Sequence, residues 1–270
     1  MNHRTLFFSL SVLVICFACE PAENTGTTET TSLENNPPAE GFNAAASDER
    51  AIAIADSVMK AMGGRRAWDN TRYIGWNFFG ARELLWDKKS GLVRIQMPND
   101  STVFLINVKT DTGRVMLDGK RLENQDSLAK YVQRGESIWI NDSYWLLMPF
   151  KLKDSGVTLK YQGQDTIQGG QAAQVLQLTF DGVGDTPQNK YRVFVDQDDH
   201  LVKQWQFYRD AADEEPAFTT PWKDYQKHDD ILLSGDRGQR QITNIHVYES
   251  VPDRVFHSFE PVDLDALAAN

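Results

Sequence analysis

The sequence predicts an α+β fold that is mainly β, an antiparallel sheet protein with a helical insertion in its middle. Three observations lead there. From Tyr73 onward, apolar residues recur at every second position through a series of short runs. Turn-forming stretches divide the runs, among them Asp87-Lys88-Lys89-Ser90-Gly91, Pro98-Asn99-Asp100 and Asp118-Gly119-Lys120. Between two sets of such runs, Gln125 to Arg134 changes to helical spacing. Ser137 to Leu152 then forms the densest apolar and aromatic stretch beyond the N-terminal leader.

The 270 residues are 41% hydrophobic and 11% aromatic, enough for a core, and carry a formal net charge of −10. Such acidity leaves no electrostatic footprint for nucleic acid and is repelled by anionic lipid. Membrane attachment therefore needs another source, and the start of the chain supplies one. Asn2-His3-Arg4 is basic, Thr5 to Phe17 is apolar but short for a bilayer, and Ala18-Cys19 follows. This resembles a bacterial lipoprotein signal over residues 1–18, cleaved before Cys19, which would then carry lipid. An ordinary signal peptide or a single anchoring helix is the alternative. Acyl chains, at about 0.8 kcal/mol per buried methylene, would hold a folded domain to a membrane. Cys16 and Cys19 are the two cysteines of the chain. Cleavage would leave the domain without a disulfide or a cysteine metal site.

Residues 19–46 are rich in Thr, Glu, Asn, Pro and Ala and read as a flexible tether. One domain is expected over 47–261. Ser47 opens a helix on which Ile52, Ala55, Val58, Met59 and Met62 recur, and Gly63-Gly64 ends it. Arg65 to Asn70 adds a turn with Trp68 facing inward. Strands are expected at Tyr73–Gly80, Arg82–Trp86, Leu92–Met97, Thr102–Val108 and Arg114–Leu117. The helix from Gln125 should stop at Gly135, and a second short helix should run from Ser143 to Met148, capped by Asn141 or Asp142 and ended by Pro149. Strands resume at Val157–Tyr161, Ala173–Phe180, Tyr191–Val195, Leu201–Tyr208, Trp222–Tyr225, Ile231–Leu233 and Gln241–Glu249. Residues 262–270 read as a loosely held tail.

No serine elbow, paired-histidine zinc helix or phosphate-binding glycine loop occurs, so no catalytic residue, cofactor or metal is assigned and the chain is not expected to be an enzyme. His228-Asp229-Asp230 reads as a solvated loop rather than a cation site. Asp196, Asp198 and Asp199 lack the glycine and distal glutamate of a calcium loop and read as a hairpin turn. The aromatic residues invite two readings, a packed core or the wall of a pocket for an apolar ligand. Under the second, Trp139, Tyr144, Trp145, Met148, Phe150, Trp222 and Tyr225 line the pocket. Lys223 and Arg237 stand at its polar rim, holding an anionic head group.

The lipidation cysteine, the Gly63-Gly64 helix end, the run Asn141-Asp142-Ser143-Tyr144-Trp145-Leu146-Leu147-Met148-Pro149 and the segment Thr220-Pro221-Trp222-Lys223-Asp224-Tyr225 together resemble an uncharacterised family of bacterial lipoproteins. That family is similar in build to the outer-membrane lipoprotein-sorting carriers of LolA/LolB type. The resemblance implies a strongly curved antiparallel sheet, an open half-barrel, with helices on its concave face and a cavity for acyl chains between them. None of the carriers' working residues is matched to a position here. The expected function is a lipid-anchored envelope protein that binds a lipid or another apolar ligand, with a role in lipoprotein or lipid handling. The alternative is an envelope scaffold with a filled core. The expected partners are the membrane, through the N-terminal lipid, and a lipid or lipoprotein acyl chain. Glu20 after Cys19 differs from the aspartate that retains some lipoproteins at the inner membrane, which favours the outer membrane.

Overall fold

In a computed structural model, the antiparallel strands gather into two open sheets and a ribbon, with helices against them. The structure describes Met1 and residues 35–268. The expected signal peptide, Cys19 and the first part of the tether lie outside the described residues.

The chain enters along an edge. Residues 35–46, expected as tether, hydrogen-bond to the neighbouring strand β7 (Val157–Thr166) and the loop before it. Ala39 N–H donates to Lys153 O at 2.9 Å and Asn43 N–H to Val157 O at 3.0 Å. Order therefore begins before Ser47, because this polar segment satisfies an otherwise open strand edge. Helix α1 (Glu49–Ala61) buries Ala51, Ile54, Ala55, Val58 and Met59. Its apolar stripe thus runs through Ile54 rather than Ile52. Gly63 ends this passage with φ +115°, and a Cβ there would meet Asp230 O at 2.2 Å, so only glycine lets the two backbones touch. Helix α2 (Arg65–Asn70) follows.

Strands β1 (Tyr73–Phe78), β2 (Arg82–Asp87), β3 (Leu92–Met97), β4 (Thr102–Asn107), β5 (Thr112–Leu117) and β6 (Lys120–Arg121) form a meander. The last strand, β14 (Ile242–Tyr248), returns to pair with β1, giving the order β14-β1-β2-β3-β4-β5-β6. Strands β7, β8 (Ala172–Phe180), β9 (Lys190–Asp196), β10 (Val202–Tyr208) and β11 (Phe218–Pro221) form the second sheet, ordered β11-β10-β9-β8-β7. Strands β12 (Lys223–His228) and β13 (Ile231–Asp236) make the ribbon. Neither sheet closes on itself, and register shifts at Gly75/Asn77, Tyr161/Gln164 and Val202/Gln204 bend the strands, as bulges do. This is the mainly β, open half-barrel class that the sequence predicts.

One helix, α3 (Gln125–Leu147), replaces the two short helices expected from Gly135 and Asn141-Asp142. The signals are real but serve other ends. Asn124 caps the helix, accepting from Ser127 N–H at 2.9 Å. A Cβ on Gly135 would lie 3.1 Å from Phe104 Cδ1 and 3.2 Å from Ile106 Cδ1. The glycine therefore lets the helix axis approach β4, at a propensity cost of about 1 kcal/mol. Asp142 is buried and accepts two hydrogen bonds from Arg82 of β2, at 2.7 and 2.9 Å, so it is an ion-pair partner and not a cap. Burial pushes its carboxyl above the ordinary range while Arg82 draws it back. Pro149 ends α3 as expected, in a short 3-10 turn over Met148–Lys151.

A single core joins both sheets to α1 and α3, with Trp76, Phe104, Leu147, Leu176, Val193 and Trp205 among its members. On the other face of β1 and β2 a smaller cluster holds Tyr73, Leu85, Tyr248, Val255, Phe256 and Leu264. The last two groups of that cluster come from α4 (Arg254–His257) and α5 (Leu264–Ala268). The expected loose tail 262–270 is thus docked where it is described, because Leu264 fills this patch and Tyr248 Oη donates to Leu264 O at 3.0 Å. Arg94, 1% exposed, makes no ion pair among the described residues and holds the same segment through carbonyls. It donates to Val255 O at 3.1 Å, Ser258 O at 2.7 Å and Glu260 O at 2.6 Å.

Two outcomes are expected. Gly135→Leu drives a side chain into Phe104 and Ile106 and lowers unfolding free energy by about 1–3 kcal/mol in urea titrations. Arg94→Met strands three carbonyls, lowers stability by about 2–4 kcal/mol, and speeds amide exchange first over residues 254–268.

Candidate functional site

The last two turns of α3 face the second sheet across a cavity of about 550 Å³. On the helix side stand Trp139, Ile140, Tyr144 and Trp145. On the sheet side the register lines up aromatic rings. Tyr191 of β9 lies opposite Phe207 of β10, which lies opposite Phe218 of β11. Their ring centroids are 5.3 and 5.0 Å apart in turn. Phe180, at the end of β8, meets Tyr191 edge-on at 5.8 Å. One residue further down the same sheet face, Val193 pairs with Trp205, and below them the face is aliphatic.

Two rings of α3 bridge to this wall. Tyr144 sits 5.4 Å from Tyr191 and 5.9 Å from Trp205. Trp145 meets Trp205 edge-on at 4.9 Å and lies 5.8 Å from Phe218. Phe218, on the edge strand, is 38% exposed and forms part of the mouth. The loop after β8 brings Val183, Asp185, Thr186 and Asn189 to the opening, and Lys151, Asp154 and Ser155 close it from below α3. Lys151 and Asp154 are ion-paired.

The walls are uncharged. Burial, with Tyr191 and Asp154 nearby, holds the Tyr144 phenol well above its ordinary value. Burial pushes Tyr191 up to about 12, against a hydrogen bond from Asn189. Both phenols therefore stay neutral at physiological pH. The Tyr144 hydroxyl is buried and has no hydrogen-bond partner among the described residues. The lining includes neither His nor Cys. Such an aromatic surface solvates hydrocarbon or rings.

Of the residues expected at the site, Trp139, Tyr144 and Trp145 line this cavity. The others lie elsewhere. Met148 is buried in the common core beneath it. Phe150 stacks on Trp68, centroids 4.4 Å apart, beside a separate hollow of about 90 Å³. Trp222, 0% exposed, packs edge-on against Trp205 at 5.5 Å, behind the wall. Tyr225 donates its hydroxyl to Val202 O at 2.8 Å. The expected strand pleat from Trp222 to Tyr225 fails because Asp224 has φ +56°, which breaks the alternation.

Neither expected rim cation is at the rim. Lys223 is exposed on the ribbon, opposite Asp236. Arg237 is 3% exposed, with its guanidinium 3.5 Å above the Trp222 ring. It donates to Ser234 Oγ at 2.9 Å, Ser234 O and Asp236 O at 3.0 Å, and Trp145 O at 2.8 Å. Burial draws its pKa down to about 9, so it remains a cation at neutral pH. It straps the end of α3 to β13 instead of facing a ligand. The expected turn at Asp196–Asp199 is a hydrogen-bonded hairpin, in which Asp196 Oδ1 accepts from Asp198 N–H at 2.9 Å and Asp199 N–H at 3.2 Å. Among the described residues no group of three His, Cys, Asp or Glu converges on a metal position, and no helix is long and apolar enough to cross a membrane.

Sequence reading missed Phe180, Tyr191, Trp205, Phe207 and Phe218 as lining residues. A signal was present for four of them, because each lies on a predicted strand in step with its inward apolar residues. Phe218 had none, standing in a polar stretch that reads as loop.

No protein-family model and no curated protein matches the chain. Solved structures do align with it. A DUF1329 family protein from Desulfovibrio piger is 14% identical, covering 82% of this chain and 100% of its own, with a TM-score of 0.43. An outer membrane lipoprotein-sorting protein domain from Vibrio parahaemolyticus is 13% identical, covering 77% of this chain and 96% of its own, with a TM-score of 0.43. A LolA superfamily protein from Nitrosomonas europaea is 10% identical, covering 75% and 96%, with a TM-score of 0.32.

Proposed function

We propose that this chain is a cell-envelope protein that takes a lipid or another apolar ligand into the cavity between α3 and strands β8–β11, tethered to the membrane by lipid on Cys19. The cavity carries the reading. Its volume of about 550 Å³ falls in the range of small-molecule sites, and eight aromatic side chains stand in its walls, with the charged groups Lys151, Asp154 and Asp185 also in its lining. A core of closely packed side chains has no voids of that size. The bound group is an acyl chain or a comparably apolar body, and the role is lipid or lipoprotein handling without a catalytic step. The N-terminal sequence supports anchoring, and the residue after Cys19 favours the outer membrane.

The ligand reading is tested by blocking the mouth. Val183 sits there, on a loop whose glycines at 182 and 184 have open space around them. Val183→Trp is expected to weaken binding of a fluorescent fatty-acid analogue by roughly ten-fold or more, about 1.4 kcal/mol, with the thermal unfolding midpoint nearly unchanged. Unaltered affinity, or no amphiphile bound by the unmodified protein at micromolar levels, refutes the assignment. The anchor is tested separately. Cys19→Ala is expected to abolish incorporation of labelled palmitate and to move the protein from the membrane fraction to the soluble one. Retained label would disprove lipidation at that residue.

A further inference from the structure

The mouth of the aromatic cavity carries an unbalanced negative charge. Lys151 and Asp154, neighbours in the lining, neutralise each other. Asp185, on the loop at the opening, has no ion-pair partner among the described residues, and neither has Glu136, less than one turn before Trp139 on α3. The two act on each other. Burial, then Asp111 and then Asp185, hold the Glu136 carboxyl above its ordinary value. Asp185 at the opening and Glu136 on the helix that carries Trp139 thus make this side of the cavity acidic, and Arg237, expected at the rim, instead donates to backbone carbonyls behind the wall.

Behind these carboxylates stand rings. The faces of Trp, Tyr and Phe carry negative electrostatic potential and attract cations within about 6 Å, most strongly when the cation is weakly hydrated. Trp145, Trp205, Tyr191, Phe207 and Phe218 enclose a space walled by such rings. The Tyr144 hydroxyl, buried at the wall, adds a further dipole that has no hydrogen-bond partner among the described residues. An anionic head group would meet carboxylates at the entrance and ring faces inside, both unfavourable.

We infer that the cavity selects amphiphiles whose head group bears an ammonium or quaternary ammonium over those with an anionic head. This rests on the cavity being a ligand site, and the two can fail separately. The ammonium has two possible sources, a simple amine or the zwitterionic head of a phospholipid.

The experiment compares four probes of one chain length below their micellar concentrations: dodecyltrimethylammonium, dodecylphosphocholine, dodecanoate and the neutral dodecyl maltoside. Intrinsic tryptophan fluorescence and native mass spectrometry read affinity and stoichiometry. The two ammonium probes are expected to bind at one per chain and roughly ten-fold tighter than dodecanoate. Tighter binding of the phosphocholine points to a phospholipid head, and tighter binding of the simple ammonium to an amine. Glu136→Gln with Asp185→Asn is expected to shrink the preference, read as the ratio of ammonium to dodecanoate affinity, to about three-fold or less. Dodecanoate binding as tightly as the ammonium probes overturns the selectivity, as does a preference that survives the double substitution. Ammonium binding that persists in Val183→Trp is binding to the acidic surface, and also overturns it. If none of the four binds, the ligand reading itself is lost.

Discussion

Everything about the cavity follows from how α3 is held. Two arginines fix its C-terminal half from outside. Arg82 pairs with the buried Asp142, and Arg237 donates to the carbonyl of Trp145. Gly135 brings the middle of the helix against β4. These contacts lie toward the seven-stranded sheet and β13. The five-stranded sheet is reached by rings, through Tyr144 and Trp145. A buried ion pair is a weak source of net stability, but losing one partner costs about 3–5 kcal/mol. Its value is positional: it fixes α3 against β2 of the first sheet.

The second sheet is divided along its length. Leu176, Leu178, Val193 and Val195 pack into the common core, whereas Phe180, Tyr191, Phe207 and Phe218 stand at the other end of the same face. Aliphatic chains interdigitate to crystal-like density. Large planar rings around a helix held at a distance leave gaps. The aromatic end is therefore the open end, and it is also where the loop after β8 and the exposed edge strand β11 meet solvent.

Much of the architecture could be read from alternation and turn chemistry. Nearly every strand of the first meander was legible, because Asp, Gly and Pro separators sit between runs of period two. Three failures are instructive. Gly135 and Asn141-Asp142 look like helix punctuation, yet α3 runs through both, since contacts with Phe104, Ile106 and Arg82 outweigh local preference. Arg237 looked like a rim cation because it lies between glycines in a polar run; burial over the Trp222 ring is a long-range fact that no local pattern contains. Asp224 reverses the pleat through a positive φ, and this placed Tyr225 away from where simple alternation put it.

By itself the sequence determined the fold class and the helical insertion, and it marked an aromatic stretch without deciding between packed core and pocket wall, because period, turn residues and aromatic density are local properties of the chain. Tertiary structure alone decided which faces of α3 and of strands β8–β11 oppose each other, and hence that Trp139, Tyr144 and Trp145 border space while Met148, Phe150 and Trp222 are buried. That choice depends on strand register and on the distance at which two arginines hold one helix, and both are set by contacts between residues far apart along the chain.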